Sequence, residues 1–201
     1  MKKTLTCLLA LVLVLTSLFA MTACGEKEDP KKESEAEDTS SVESAESAES
    51  AESTPEAYKP AKGYKLYSKS GISFAYPEDW EIEDDVIIDD DGNNINMNYS
   101  AASKAEAEVF RTLSNDTFME LMGNLYEAMG MSVSNHNVKT VTNASGVEVI
   151  SCEFSLSFEG IEMNMCQFII LGEKKHYTIT ITEMTDVDAV IAEVLKSITI
   201  E

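Results

Sequence analysis

The chain has 201 residues, of which 36 are acidic and 15 are basic, so its formal net charge is −21 at pH 7. A surface this acidic repels the phosphates of nucleic acids, which excludes DNA or RNA as a partner, and it also repels anionic lipid headgroups. Hydrophobic residues make up 44% of the chain, which is enough to build one sizeable core.

The first 23 residues have the pattern of a secretory signal peptide. Lys2 and Lys3 give a positively charged start, and a largely apolar run follows over residues 8–20. In a helix this run spans about 20 Å, whereas crossing the hydrocarbon core of a bilayer takes roughly 30 Å. The pattern therefore favours an export signal over a membrane-spanning anchor, and we predict that residues 1–23 are removed.

The end of this signal resembles the lipobox of bacterial lipoproteins. The motif is Met21-Thr22-Ala23-Cys24, with methionine where leucine is usual, whereas an ordinary signal peptide would end in an A-x-A pattern. In that family the chain is cut before the cysteine, whose thiol carries a diacylglycerol. The resemblance implies that Cys24 is the lipidated mature N-terminus, held by acyl chains such as palmitate at the outer face of the cell membrane.

Residues 24–60 are predicted to form an acidic tether. The piece SVESAESAESAES places a glutamate at every third position from Glu43 to Glu52. A helix is the competing interpretation, because alanine and glutamate favour helices, but a three-residue period builds no apolar stripe. A charged, serine-rich segment buries too little apolar surface to offset its chain entropy. We therefore expect a solvated spacer, followed by one globular domain over residues 61–201.

The domain opens with two predicted β-hairpins. Residues 64–67 and 72–76 flank the turn Ser70-Gly71, and Pro77 ends the second strand. The second hairpin turns at Asp91-Gly92, a pair that tolerates positive φ.

A helix is predicted next, with Ser114 as its N-cap and Gly130 in the C′ position. Residues 104–113 are ambiguous and could form a shorter helix. The expected apolar stripe of the main helix consists of Phe118, Leu121, Met122, Leu125 and Met129.

Four strands follow, at residues 137–142, 146–158, 161–171 and 176–184. The clearest turns are residues 143–146 and Glu159-Gly160. The last helix is predicted to begin at Thr185 as N-cap, with Asp188 three residues later, and residues 198–200 are expected to return to the sheet edge. The apolar stripe of this helix consists of Val187, Val190, Ile191, Val194, Leu195 and Ile198.

Two cysteines remain in the domain, and the turn between their strands predicts how they are placed. If Glu159-Gly160 is a two-residue turn, Cys152 faces Gln167 while Cys166 faces Glu153 on the opposite side of the sheet. This register favours two buried free thiols over a Cys152–Cys166 disulfide, which a bulge or a longer loop would still allow.

These elements predict an α+β domain, in which antiparallel hairpins are combined with a middle helix and a C-terminal helix. The stretches SGISFAYPEDWEI and VIAEVLKSITI resemble the PsbP/Mog superfamily, in which an antiparallel sheet is flanked by α-helices on both faces as an α/β/α sandwich. The resemblance covers residues 64–201 and rests on Phe74, Tyr76, Pro77 and Trp80 at one end and on Leu195, Ser197 and Ile198 at the other. The resemblance implies the fold of this superfamily. Because its members serve as accessory or binding proteins, it also implies a role of that kind.

The acidic run around the second hairpin is a weak candidate for a metal site. Calcium takes six to eight oxygen ligands, commonly from a D-x-[DN]-x-[DN]-G loop closed by glutamate. When Gly92 is aligned with that glycine, Ile87 falls at the first position and Asn98 at the closing one, so an EF-hand is excluded. A different calcium site at Asp89, Asp90 and Asp91 remains the alternative to a solvated hairpin tip.

No catalytic residues and no cofactors are predicted. His136 and His176 are the only histidines, they accompany no catalytic motif, and we expect both at the surface. Met163 and Met165 could suggest copper beside Cys166, but the strand register sends the methionines into the core and the cysteine to the other face. The protein is therefore expected not to be an enzyme.

Together these patterns predict a lipoprotein on the extracytoplasmic side of the cell membrane. Cys24 anchors it, and the single domain acts as a binding or accessory module for an envelope protein. The alternative function is a small-ligand or Ca²⁺-binding surface lipoprotein, and an enzyme is the third.

Overall fold

The computed structural model describes residues 58–201. The predicted signal peptide, the lipidation site Cys24 and nearly all of the predicted tether lie outside the described residues. Within residues 58–201, none of the helices has the length and apolar character needed to cross a membrane. The described part is an α+β domain with antiparallel sheets, as the sequence predicted.

A three-stranded sheet forms around the first hairpin. Strands β1 (Tyr64–Lys69) and β2 (Ile72–Pro77) pair antiparallel, and the short terminal strand β10 (Thr199–Ile200) pairs with the other edge of β2. Ser70 and Gly71 have φ of 59° and 91°, and two positive φ values define a tight hairpin turn that matches the twist of the strands. The predicted first hairpin and terminal strand are thus confirmed.

A seven-stranded sheet forms the rest of the β structure, in the order β3-β4-β5-β9-β8-β7-β6. Every neighbouring pair in it is antiparallel, including the predicted hairpin β4–β5. Its strands are β3 (Glu81–Glu83), β4 (Val86–Ile88), β5 (Asn94–Ala101), β6 (Ser132–Thr142), β7 (Glu148–Phe158), β8 (Ile161–Leu171) and β9 (Lys175–Glu183).

The helical region between β5 and β6 has two parts. Helix α1 (Lys104–Arg111) begins at the N-cap Ser103. The second part runs without a break through α2 (Asn115–Phe118), a π-helical turn (Met119–Gly123) and α3 (Asn124–Glu127). Ser114 caps it as predicted, and its side chain exchanges hydrogen bonds with Thr117 in a capping box.

The π-helical turn corrects the predicted apolar stripe. Phe118, Met122 and Tyr126 are buried at a spacing of four residues, whereas Leu121 is 48% exposed. A π-helical turn contains more residues than an α-helical turn, so it rotates the following residues relative to 3.6-residue periodicity. The predicted stripe is therefore wrong for Leu121 and lacks Tyr126, whereas Phe118 and Met122 are buried and Leu125 and Met129 pack against the same cluster.

Two apolar clusters lie on opposite faces of the seven-stranded sheet. On one face, Ile179 and Ile181 pack with Phe74 of the small sheet and Val194 of the last helix. On the other face, the continuous helix contributes residues such as Phe118 to a cluster that also contains Met163 and Met165. The alternation of side chains along each strand thus produces two cores, each covered by different elements.

The last helix, α4 (Asp188–Ser197), buries the predicted stripe but begins later than predicted. Its N-cap is Val187, which makes no side-chain capping bond. The predicted N-cap Thr185 is wrong, because its hydroxyl accepts a hydrogen bond from the Asn93 side chain at 2.8 Å instead. A long-range contact has therefore replaced the local cap.

The chain enters the described domain against α4. The Tyr58 hydroxyl and the Ala61 N–H both donate to Oε1 of Glu193, at 2.6 Å and 2.9 Å. Burial tends to raise the pKa of Glu193, but these two hydrogen bonds outweigh it and hold the pKa below its usual value. An ionised Glu193 thus fixes the place where the predicted tether meets the domain.

We predict that Ser197→Ala lowers the free energy of unfolding by about 2 kcal/mol. Ser197 is fully buried, its Oγ accepts the Ala75 N–H at 2.7 Å, and it donates to the Val194 carbonyl. Its removal leaves a buried backbone donor unpaired. Urea unfolding measures the change, and Ser68→Ala, which removes an exposed hydroxyl contact, is the matched control. Equal effects of the two substitutions would contradict the packing of α4 on β2.

Candidate binding site

The register of the β7–β8 hairpin confirms the predicted placement of the two cysteines. Cys152 pairs with Gln167 and Cys166 with Glu153, and Glu159 and Gly160 form the turn with φ of 50° and 82°. Cys152 belongs to the cluster under the continuous helix and Cys166 to the cluster under α4. Burial raises the pKa of Cys152 to about 12, and it raises that of Cys166 further, so neither thiol is a nucleophile at neutral pH.

Asp89 is the first residue of the weak candidate calcium site. Both of its carboxylate oxygens accept hydrogen bonds from residues of the same loop. Oδ1 accepts the backbone N–H groups of Asp91 and Asn93, and Oδ2 accepts the Asn93 side-chain amide at 2.7 Å. Asp90 and Asp91 are exposed. Across the part of the chain that the structure describes, no three His, Cys, Asp or Glu side chains are grouped so that they could hold a metal ion.

The Asn93 side chain holds this loop against the segment that follows β9, and we call this contact the clamp. Asn93 is 1% exposed, and its Oδ1 accepts the backbone N–H groups of Met184 and Thr185 while its Nδ2 donates to Asp89 and to Thr185. The amide thereby joins the β4–β5 loop to the segment between β9 and α4. The acidic turn is thus built around an uncharged residue that the sequence analysis did not select.

We predict that Asn93→Ala lowers the free energy of unfolding by about 2 kcal/mol, because two partly buried backbone N–H groups lose their acceptor and Oδ2 of Asp89 loses its side-chain donor. Chemical denaturation followed by circular dichroism measures the loss. Asp90→Ala, on the exposed tip of the same loop, is the control and should change the stability little. A near-zero effect of Asn93→Ala would show that the clamp does not hold the loop.

A cleft of about 290 Å³ opens beside β5, and we call it the edge cleft. The turn between β3 and β4 forms one wall, in which Asp84 and Asp85 have positive φ of 48° and 69°. Lys69, at the end of β1, closes it through an ion pair with Asp85 at 2.7 Å, which raises the pKa of the lysine. The edge cleft is lined by Lys69, Asp84, Asp85, Val86, Asn96, Met97, Asn98 and Tyr99.

An exposed aromatic surface borders the edge cleft, and we call Lys69, Tyr99 and Lys175 the tyrosine patch. Tyr99 is 48% exposed, and the Lys175 ammonium lies 4.5 Å from its ring centre. Lys175 and Tyr177 both donate to the Ser70 carbonyl at 3.0 Å, so the patch rests on the turn of the first hairpin. A cation held over a tyrosine ring in this way orders both side chains.

A second polar feature lies where β5 pairs with β9. Asn96 is opposite Thr180 and Asn94 is opposite Thr182, so these four side chains occupy one face of the sheet, and we call them the polar block. All four are at most 5% exposed. The polar block was not predicted, although the alternation in NINMN and TITIT indicates strands with one polar face.

The two histidines differ in their environments. His136 is half-buried and its ring stacks on Phe118 with centroids 6.3 Å apart. His176 is only 6% exposed, and its Nε2 lies 3.1 Å from the Ser103 backbone nitrogen and 3.0 Å from the Ser103 carbonyl oxygen. The expectation of a surface position is therefore wrong for His176, which holds the start of α1 against β9.

Comparison with known proteins supports the fold. The domain is similar to the solution structure of cyanobacterial PsbP (CyanoP) from Synechocystis sp. PCC 6803, with a TM-score of 0.55 and 14% identity over 69% of this chain and 93% of that chain. A crystal structure from Bacteroides thetaiotaomicron VPI-5482 has a TM-score of 0.46 and 14% identity over 69% of this chain and 49% of that one. No family model and no curated protein matches the sequence. The chain thus has a PsbP-like fold.

Proposed function

We propose that this chain is a lipid-anchored extracytoplasmic lipoprotein whose PsbP-like domain binds another protein of the cell envelope. The lipobox-like motif at Cys24 supports the anchor, and the acidic segment after it supports a spacer between membrane and domain. A tethered domain meets membrane neighbours at a high effective concentration, so modest contacts suffice for binding.

The proposed protein contact is based on the exposure of the tyrosine patch. Tyr99 presents a large amphipathic ring, and tyrosine is enriched where protein interfaces concentrate their binding energy. Lys175 gives this surface a cation beside the Tyr99 ring in a chain that is otherwise strongly acidic, whereas the charge of Lys69 is paired with Asp85. A partner that places a carboxylate and an apolar side chain over Tyr99 would complement it in both charge and shape.

The membrane anchor is tested by Cys24→Ala. Without the thiol no acyl chain can be attached, and an acidic protein has no basic patch to replace it, so we expect the protein to leave the membrane fraction. Fractionation of intact cells and mass spectrometry of the mature N-terminus measure this. Ser17→Ala, a change within the apolar run, is the control. Retention of the Cys24→Ala protein in washed membranes would contradict lipid anchoring.

The protein contact is tested by cross-linking the lipoprotein in intact cells and capturing it through the folded domain. We expect one reproducible envelope partner, whose recovery falls about tenfold or more in Tyr99→Ala and persists in Tyr99→Phe, which keeps the ring. Val109→Ala removes an equally exposed apolar side chain on α1 and serves as the control. If the partner is recovered equally with Tyr99→Ala, the tyrosine patch is not the contact, and an empty capture from the unaltered protein contradicts the proposed function.

A further inference from the structure

Strand β5 extends beyond its neighbour β4. It pairs with β9 along its whole length, but its pairing with β4 ends at Asn96, opposite Val86, because the chain before β4 turns away into β3. Burial follows the pairing, since residues 94–96 are buried whereas residues 97–101 are partly buried or exposed. The second half of β5 therefore forms an accessible edge of the seven-stranded sheet, and we call residues 97–101 the open edge.

Backbone hydrogen bonds at the two ends of β5 show which groups point to the open edge. Just after β5, the Ala102 N–H donates to the Lys174 carbonyl, which precedes β9. Just before β5, the Asn93 carbonyl accepts the Asp89 N–H, which follows β4. Successive residues of an antiparallel strand pair on alternate sides. Even-numbered residues of β5 therefore point their N–H and C=O groups to β9, and odd-numbered residues point theirs to the β4 side.

The odd-numbered residues of the open edge have no residue of β4 beside them. They are Met97, Tyr99 and Ala101. Within residues 58–201, their backbone N–H and C=O groups have no hydrogen-bond partner. Three donors and three acceptors thus follow one another along this edge, at the spacing that a further β-strand requires.

Three other edge strands carry features that oppose further pairing. A free edge is a template for association, and charged side chains or capping contacts block it. Strand β3 has an exposed glutamate at each end, β1 carries the exposed Lys65, and the Val138 N–H of β6 donates to Oδ1 of Asn115 at 2.7 Å. The open edge contains no charged residue, so it lacks this protection.

We propose that the open edge accepts an extended segment of the partner protein as an added antiparallel strand. The inference rests on the proposed protein contact and defines its form, because Tyr99 belongs both to the tyrosine patch and to the open edge. Main-chain hydrogen bonds hold such a strand, and its alternate side chains provide the selection. Its far end enters the edge cleft, which Met97 and Tyr99 line together with the turn between β3 and β4.

The side chains beside the open edge define the chemistry of the added strand. Residues opposite one another in an antiparallel pair place their side chains on the same face. Lys175 is opposite Ala101 and its ammonium lies over the Tyr99 ring, so an acidic residue is favoured opposite Ala101. Beside Met97 the cleft wall carries two carboxylates, so an apolar residue is favoured there. The added strand is therefore an acidic residue followed by alternating polar and apolar β-branched residues.

The test is an NMR titration of the ¹⁵N-labelled full-length lipoprotein in detergent with the peptide acetyl-Glu-Thr-Val-Thr-Val-amide. We expect saturable shifts of the backbone amides of Met97, Tyr99 and Ala101 in the millimolar range. The same peptide N-methylated at its central valine lacks the donor for the Tyr99 carbonyl and should give no saturable shift. This comparison uses the unaltered protein, so it does not depend on the folding of a variant.

The variant Ala101→Pro removes one N–H of the open edge and leaves the pairing with β9 intact, and edge strands tolerate proline at such positions. We expect it to weaken peptide binding about tenfold, whereas Ala101→Ser keeps the N–H and should bind as the unaltered protein does. Thr140→Pro places a proline on the edge strand β6 and is the control, with binding unchanged. Thermal unfolding of each variant verifies that the domain is folded.

The proposal is overturned if the peptide gives no saturable shift at the open edge, if the N-methylated peptide binds equally, or if Ala101→Pro binds as Ala101→Ser does. Such a failure is distinct from failure of the proposed function, which the capture of a partner through Tyr99 decides. A partner that is lost in Tyr99→Ala but recovered in Ala101→Pro would show a side-chain contact without an added strand.

Discussion

The turn at Glu159-Gly160 imposes the constraint on which the rest of the domain depends. Because it contains two residues, it fixes the pairing of β7 with β8 from Phe158 opposite Ile161 up to Ile150 opposite Ile169. Strand β8 then pairs with β9, and β9 with β5, so the same alternation passes across the sheet. A slip of one residue in this hairpin would exchange the two faces of a strand and expose its apolar side chains.

Because the alternation is fixed, the two faces of the sheet bury different side chains. One face packs under β2 and α4 and supplies most of the larger apolar cluster. The other face is apolar where the continuous helix covers β7 and β8, and it becomes polar on β9 and β5, where Thr180 and Asn96 lie. The sheet therefore carries apolar clusters on both faces and a buried polar block on β5 and β9, and the edge cleft opens beside β5.

The features that sequence reasoning predicted are local. The hairpins at Ser70-Gly71 and Glu159-Gly160 follow from turn chemistry, and the stripe of α4 follows from helical periodicity. Apart from the π-helical turn, what it missed depends on partners distant in sequence. Thr185 is not an N-cap because Asn93 engages it, and the polar block exists only because β5 and β9 become neighbours. Burial of His176 similarly requires Ser103 to lie beside it.

The most direct test of this account is a cross-strand disulfide in a Gln167→Cys variant. The register places residue 167 directly opposite Cys152, and opposed residues of antiparallel strands are close enough for an S–S bond. After oxidative refolding, peptide mapping should find Cys152 joined to position 167, with Cys166 free. A bridge between Cys152 and Cys166, in this variant or in the unaltered protein, would show a different register and contradict the division of the sheet into two faces.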